Sequence, residues 1–63
     1  MSNFSNMYRL VYVNKHGDKN KLFFDTYEEA EYNFAHCEFS PNIQTAKVQV
    51  SVGVFRWKTL LNF

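Results

Sequence analysis

The sequence predicts a small α+β domain in which one amphipathic helix packs on one face of an antiparallel sheet. Three observations lead to this class. Two short apolar and aromatic segments flank a polar turn, a segment with helical spacing follows, and an alternating apolar segment comes after it. The predicted element order is therefore β-β-α-β or β-β-α-β-β, with three or four strands.

The first two strands are predicted to form a hairpin. Residues 8–13 are rich in β-branched and aromatic side chains, a composition typical of strands. Residues 14–20 are polar and contain a Gly-Asp pair, which favours a hairpin loop. Residues 21–25 then form the return strand, whose apolar residues Leu22 and Phe24 point to the same face.

A helix is predicted to follow this hairpin. Thr26 has the position of an N-cap, and Glu29, three residues later, completes a capping box by reaching back to the Thr26 amide. The Ser-Pro-Asn sequence at 40–42 ends the helix near residues 38–39, because proline disfavours a helical residue before it. The predicted core stripe of the helix consists of Tyr27, Ala30, Phe34 and Cys37.

The C-terminal part predicts one long strand or two. Residues 45–52 alternate between apolar and polar side chains, which indicates a half-buried strand. Gly53 is either a bulge in one long strand or the turn of a second hairpin, and a hairpin or strong kink is favoured because one strand would be unusually long. Residues 54–59 alternate again, and Trp57 is predicted to join the core. A helical turn at 58–61 is the alternative.

Composition bounds the functional classes. The 63 residues predict a single domain, 1–63, in which residues 1–6 are a polar tail rather than a signal peptide. A single cysteine rules out an internal disulfide and favours a reducing, cytoplasmic location. No apolar run approaches the roughly 20 residues that span a bilayer. A chain of this length leaves little room for both a core and an enclosed pocket, so an enzyme is not expected.

The charges are segregated along the chain. The net charge is +1, but all seven Lys and Arg residues lie outside residues 22–46, and five of the six acids lie inside. This segment therefore carries a formal charge of −5, and the remainder, with one acid, carries +6. An acidic helix and a basic sheet are predicted, either as ordinary solvated surfaces or as surfaces that steer a partner of opposite charge.

Two surfaces are candidate binding sites. The acidic helix face is predicted to bind protein, with Tyr32 as an exposed aromatic anchor. The basic sheet face is the alternative, as a nucleic-acid site in which cations contact phosphates and a ring stacks on a base. The residues of the helix site are Glu28, Glu31, Tyr32 and Glu38. The residues of the sheet site are Arg9, Lys21, Phe23, Lys47, Arg56 and Lys58.

Catalytic and metal sites are not predicted. His36 and Cys37 are adjacent, and neighbouring helical residues point about 100° apart, so they do not form a nucleophile and base pair. A cysteine on the apolar stripe is expected to be a core residue. His16, His36 and Cys37 lack the spacing of metal ligands, and no cofactor is expected.

The layout from 7 to 59 resembles small bacteriophage early proteins that bind and inhibit a host enzyme. The resemblance depends on the Thr-Tyr-Glu-Glu-Ala-Glu sequence at 26–31, on the small size and on the low cysteine content. It implies a non-enzymatic inhibitor or modulator of a host protein that acts in the host cytoplasm. A homo-oligomer is a further option, and the alternative function is a small nucleic-acid-binding domain.

Overall fold

The computed structural model describes residues 7–63, and the predicted polar tail at 1–6 lies outside them. Four antiparallel strands form one sheet in the order β2-β1-β3-β4, and one helix packs on a single face of it. The predicted α+β class is therefore confirmed, in its four-stranded form. The elements are β1 (Tyr8–Asn14), β2 (Lys19–Phe24), α1 (Tyr27–Glu38), β3 (Ile43–Gly53) and β4 (Arg56–Asn62).

The predicted first hairpin joins β1 to β2, and Asn14 organises its turn. The Asn14 side-chain oxygen accepts hydrogen bonds from the backbone amides of His16 and Asp18 at 2.9 and 3.0 Å. Asparagine side chains often stabilise turns in this way. Gly17 has a φ of 89°, in the left-handed region that suits glycine. The turn aligns β1 and β2 so that Leu10 lies opposite Leu22.

Helix α1 begins as the sequence predicts. The Thr26 side-chain oxygen accepts a hydrogen bond from the Glu29 amide at 3.2 Å, which makes Thr26 the N-cap. The Glu29 carboxylate accepts a hydrogen bond from the Thr26 hydroxyl, also at 3.2 Å, in place of the expected bond from the Thr26 backbone amide. The helix ends at Glu38, immediately before the C-cap residue Phe39.

The second hairpin connects β3 to β4 through Val54 and Phe55. Gly53 is therefore the last residue of β3, and the hairpin interpretation is confirmed over the continuous strand. The left-handed position of the turn falls on Phe55, with a φ of 60°, rather than on a glycine. The alternative helical turn at 58–61 is wrong, because these residues lie in β4.

The core lies between α1 and the central strands. Its buried side chains are Leu10, Ala30, Phe34, Cys37, Ala46 and Val48. Phe34 also packs edge to face against Phe63, with ring centroids 5.5 Å apart. The predicted helix stripe is confirmed, since three of its four members are buried and Tyr27 is half-buried. In β4, Leu61 lies opposite the buried Val48 and packs against this core.

The prediction that Trp57 belongs to the core is wrong. Trp57 lies opposite Ser51, on the sheet face turned away from α1, which we call the open face. The alternation in the sequence shows which residues of β4 share a face, but not which of the two faces points toward α1. Val52 and Leu60 are unpaired extra residues in the β3–β4 ladder, and such bulges decide which side chains point toward the helix.

Within residues 7–63, no helix has both the length and the apolar character needed to cross a bilayer.

Candidate functional site

Three aromatic residues and one alanine form a stripe on the side of α1 that faces away from the sheet. We call Tyr32, Ala35, His36 and Phe39 the outward stripe. Their spacing of three, one and three residues places them along one line of the helix, and together they line one open depression. Tyr32 is 67% exposed and Phe39 is 86% exposed. The predicted exposure of Tyr32 is therefore confirmed, and its role in binding stays a prediction.

The outward stripe is internally ordered. The rings of Tyr32 and His36 meet edge to face, with centroids 4.5 Å apart and an interplanar angle of 70°. The backbone amide of Phe39 donates to the Ala35 carbonyl at 3.2 Å, which fixes the backbone at the end of the stripe. The Tyr32 ring is thus held by His36, which lowers the entropic cost of a contact that uses it, and Phe39 is presented to solvent from the C-cap of the helix.

Carboxylates border the outward stripe. Helix α1 carries four glutamates and no lysine or arginine, and all four are exposed. Glu28 lies one turn before Tyr32, while Glu31 and Glu38 are seven residues apart and share one side of the helix. Burial, followed by the charges of Glu31 and Glu28, raises the pKa of Tyr27. The surface is therefore aromatic along its centre and negatively charged at its border.

The open face of the sheet has the opposite charge. Four cations belong to the strand residues that point away from α1, and none of those strand residues is acidic. Asp18 and Asp25 lie outside the strands, in the connections that flank β2. The cations of the open face are Arg9, Lys19, Lys21 and Lys47. Its polar uncharged residues are Thr45, Gln49, Ser51, Thr59 and Asn62.

Arg9 and Trp57 form an ordered cluster on the open face. The Arg9 guanidinium carbon lies 4.0 Å from the centroid of the Trp57 ring, a cation–π contact. Arg9 Nε donates to Gln49 Oε1 at 2.7 Å, and Gln49 Nε2 donates to Thr59 Oγ1 at 3.1 Å. This chain of hydrogen bonds satisfies the buried Gln49 amide and holds the guanidinium against the indole.

The two aromatic residues of the open face meet across the sheet. Phe23 is on β2 and Trp57 on β4, the strands at opposite edges, yet their ring centroids are only 6.4 Å apart. Phe23 remains 48% exposed and Trp57 is half-buried. The rings therefore make a partly exposed aromatic surface above the two central strands.

The predicted basic sheet site is only partly assembled. Arg9, Lys21 and Lys47 share the open face with Phe23, as the site requires. The other two predicted members do not. Lys58 lies opposite Val50, and Arg56 alternates with Trp57, so both belong to the side of the sheet that carries α1. The reason is the phase of β4, which the bulges set.

Cys37 occupies the core, as the sequence predicts. Its side chain is buried, and burial raises the pKa of its thiol, which disfavours the reactive thiolate. The neighbouring His36 is exposed on the outward stripe, so the two side chains diverge. Among the described residues, no group of three or more His, Cys, Asp or Glu side chains could hold a metal ion.

Two exposed features were missed at the sequence level. Phe39 was assigned only to the helix end, although its distance of seven residues from Tyr32 is a detectable signal for a shared helix side. The tip of the second hairpin presents Val52, Val54 and Phe55 at 55%, 80% and 96% exposure. The two apolar residues after Gly53 could have indicated this tip, since a two-residue hairpin loop is common.

The chain matches no protein-family model, no curated protein and no solved structure in comparisons with known proteins. Its own surfaces are therefore the guide to its function.

Proposed function

We propose that this chain is a small non-enzymatic protein-binding module that holds a basic surface of a partner protein against the outward stripe of α1. The observation that carries the proposal is the exposure of Tyr32 and Phe39 on the same side of a helix whose charged residues are all acidic. Exposed aromatic residues that lie together are the usual anchors of protein interfaces.

Charge supports the choice of partner. Glu28, Glu31 and Glu38 border the rings, so a partner with Lys or Arg around an apolar pocket would be complementary in both charge and chemistry. Long-range attraction of this kind mainly accelerates association and depends on salt. The resemblance to phage proteins makes a bacterial protein the first partner to test, and inhibition of that partner is the expected effect.

The experiment begins with affinity capture from bacterial lysate and ends with the purified pair. A captured protein is identified by mass spectrometry, purified, and titrated with the wild-type chain by calorimetry. Tyr32→Ala and the double variant Glu28→Lys/Glu31→Lys are expected to weaken the binary complex at least tenfold, because they remove an anchor and invert the steering field.

The matched control inverts charge on the opposite surface. Lys21→Glu/Lys47→Glu changes two exposed cations of the open face and is expected to leave the affinity for the partner unchanged. Circular dichroism spectra of all variants check that the fold is retained. If the open-face variant loses the partner while the helix variants keep it, the assignment of the binding surface to α1 is wrong.

A further inference from the structure

A second site is carried by the open face, which no step of the proposed protein-binding function uses. The open face and α1 lie on opposite sides of one sheet, so a ligand on the open face does not compete for the outward stripe. It combines four cations with two partly exposed rings, Phe23 and Trp57.

We infer that the open face binds single-stranded nucleic acid. Its cations, Arg9, Lys19, Lys21 and Lys47, would contact phosphates, and the aromatic surface of Phe23 and Trp57 would stack on unpaired bases. Charge complementarity selects this ligand, because the strand residues of the open face include no carboxylate to repel a phosphate. Flat aromatic surfaces within a basic sheet bind single strands because every base has a face on which a ring can stack.

The Arg9 cluster prepares this surface. Arg9 covers one side of the indole and is itself fixed by its hydrogen bond to Gln49. The Trp57 ring is therefore already in position before any ligand binds. A base would stack on the side of the indole turned away from Arg9, beside the exposed ring of Phe23. In a duplex the bases are already stacked and only the phosphates are accessible to such a surface, so single strands should be preferred.

The chain supplies its own reporter for this site. Trp57 is the only tryptophan, so its fluorescence, excited at a wavelength where the four tyrosines absorb little, reports on the open face. The probe is an oligothymidylate of about 12 nucleotides, a length within the site sizes of single-strand binders, and the comparison is a duplex of similar length. Addition of the single strand is expected to quench the fluorescence of Trp57. The duplex is expected to bind more weakly.

Salt and substitutions identify the contacts. The logarithm of the binding constant should fall with the logarithm of salt by about 0.7 for each phosphate contacted. Lys21→Gln/Lys47→Gln should therefore reduce the magnitude of this slope by about 1.4. Phe23→Ala should weaken binding roughly tenfold, since base stacking on one ring is lost.

Two matched controls lie on the other side of the sheet. Lys58→Gln removes one cation from β4, and Phe39→Ala removes one exposed phenyl ring at the C-cap of α1. Neither change should alter binding of the oligonucleotide. Absence of quenching, equal affinity for the duplex, or an equal loss with Lys58→Gln would each overturn the inference.

A second copy of the chain is the competing occupant. Its acidic helix could dock on the open face, and sedimentation would then show oligomers that both Lys47→Glu and Glu28→Lys dissociate. That result would also overturn the nucleic-acid site. A monomer whose Trp57 is quenched by the single strand supports it. Because the protein-binding test uses a different surface and a different probe, each proposal can fail without the other.

Discussion

Replacement of Phe34 by alanine should remove most of the stability of this domain. Among the described residues, Phe34 is the only aromatic side chain that is buried, and it is 6% exposed. Truncation of a buried phenylalanine costs about 3–5 kcal/mol, because the transfer energy is lost and a cavity is left. A chain of this size has roughly 3–9 kcal/mol of unfolding free energy in total. The loss is a large part of that total, so the variant should unfold at a much lower urea concentration than the wild type or already be unfolded in water.

Phe39→Ala, at the C-cap of the same helix, is the matched control. Phe39 is 86% exposed, so the same chemical change should alter the unfolding free energy by less than about 0.5 kcal/mol. Phe34→Leu, which retains more of the buried volume, should fall between the two. Urea unfolding followed by far-ultraviolet circular dichroism measures all three against the wild type. Equal midpoints for Phe34→Ala and Phe39→Ala would refute the assignment of the helix faces.

Three further predictions concern the helix cap, the second turn and the buried thiol. Thr26→Ala should lower the unfolding free energy by about 1 kcal/mol, since the amide of Glu29 loses its acceptor, and an unchanged melting curve would contradict the N-cap. Phe55→Asn should raise the unfolding free energy by about 1 kcal/mol, because asparagine tolerates a φ of 60° and the 96% exposed ring contributes little packing. Thermal unfolding measures this change, and a loss of stability would show that the ring is needed. Burial raises the pKa of Cys37, so stability should fall as pH rises above 9.0, where the unfolded chain loses the thiol proton first. Urea unfolding of Cys37→Ala at several pH values should show a smaller decrease of the unfolding free energy above this pH than the wild type shows. The same pH dependence in both proteins would argue against a buried thiol.

The helix was predictable because its signals are local. The Thr26 cap, the spacing of the core stripe and the proline at position 41 all act within a few residues, so the sequence pattern determines where α1 begins, ends and turns its apolar side. The exposure of Tyr32 follows from the same periodicity, since it lies off the core stripe.

The face occupied by β4 was not predictable in the same way. Strict alternation gives two possible phases, and the choice depends on pairing with β3, where Val52 and Leu60 are unpaired. Trp57 consequently faces Arg9 instead of the core, and Lys58 leaves the predicted basic site. The contact between Phe23 and Trp57 links the two edge strands, which are far apart in the sequence, so no local sequence pattern predicts it.

Nuclear magnetic resonance of the isotope-labelled chain, titrated with the purified partner, tests the central claim most directly. Each backbone amide reports separately, so the bound surface is mapped without any substitution. Binding at the outward stripe predicts the largest shift changes between Glu28 and Phe39, with small changes at Arg9, Lys21 and Lys47. Changes concentrated in the open-face residues of the strands, with α1 unaffected, would contradict the claim that the helix is the protein-binding surface.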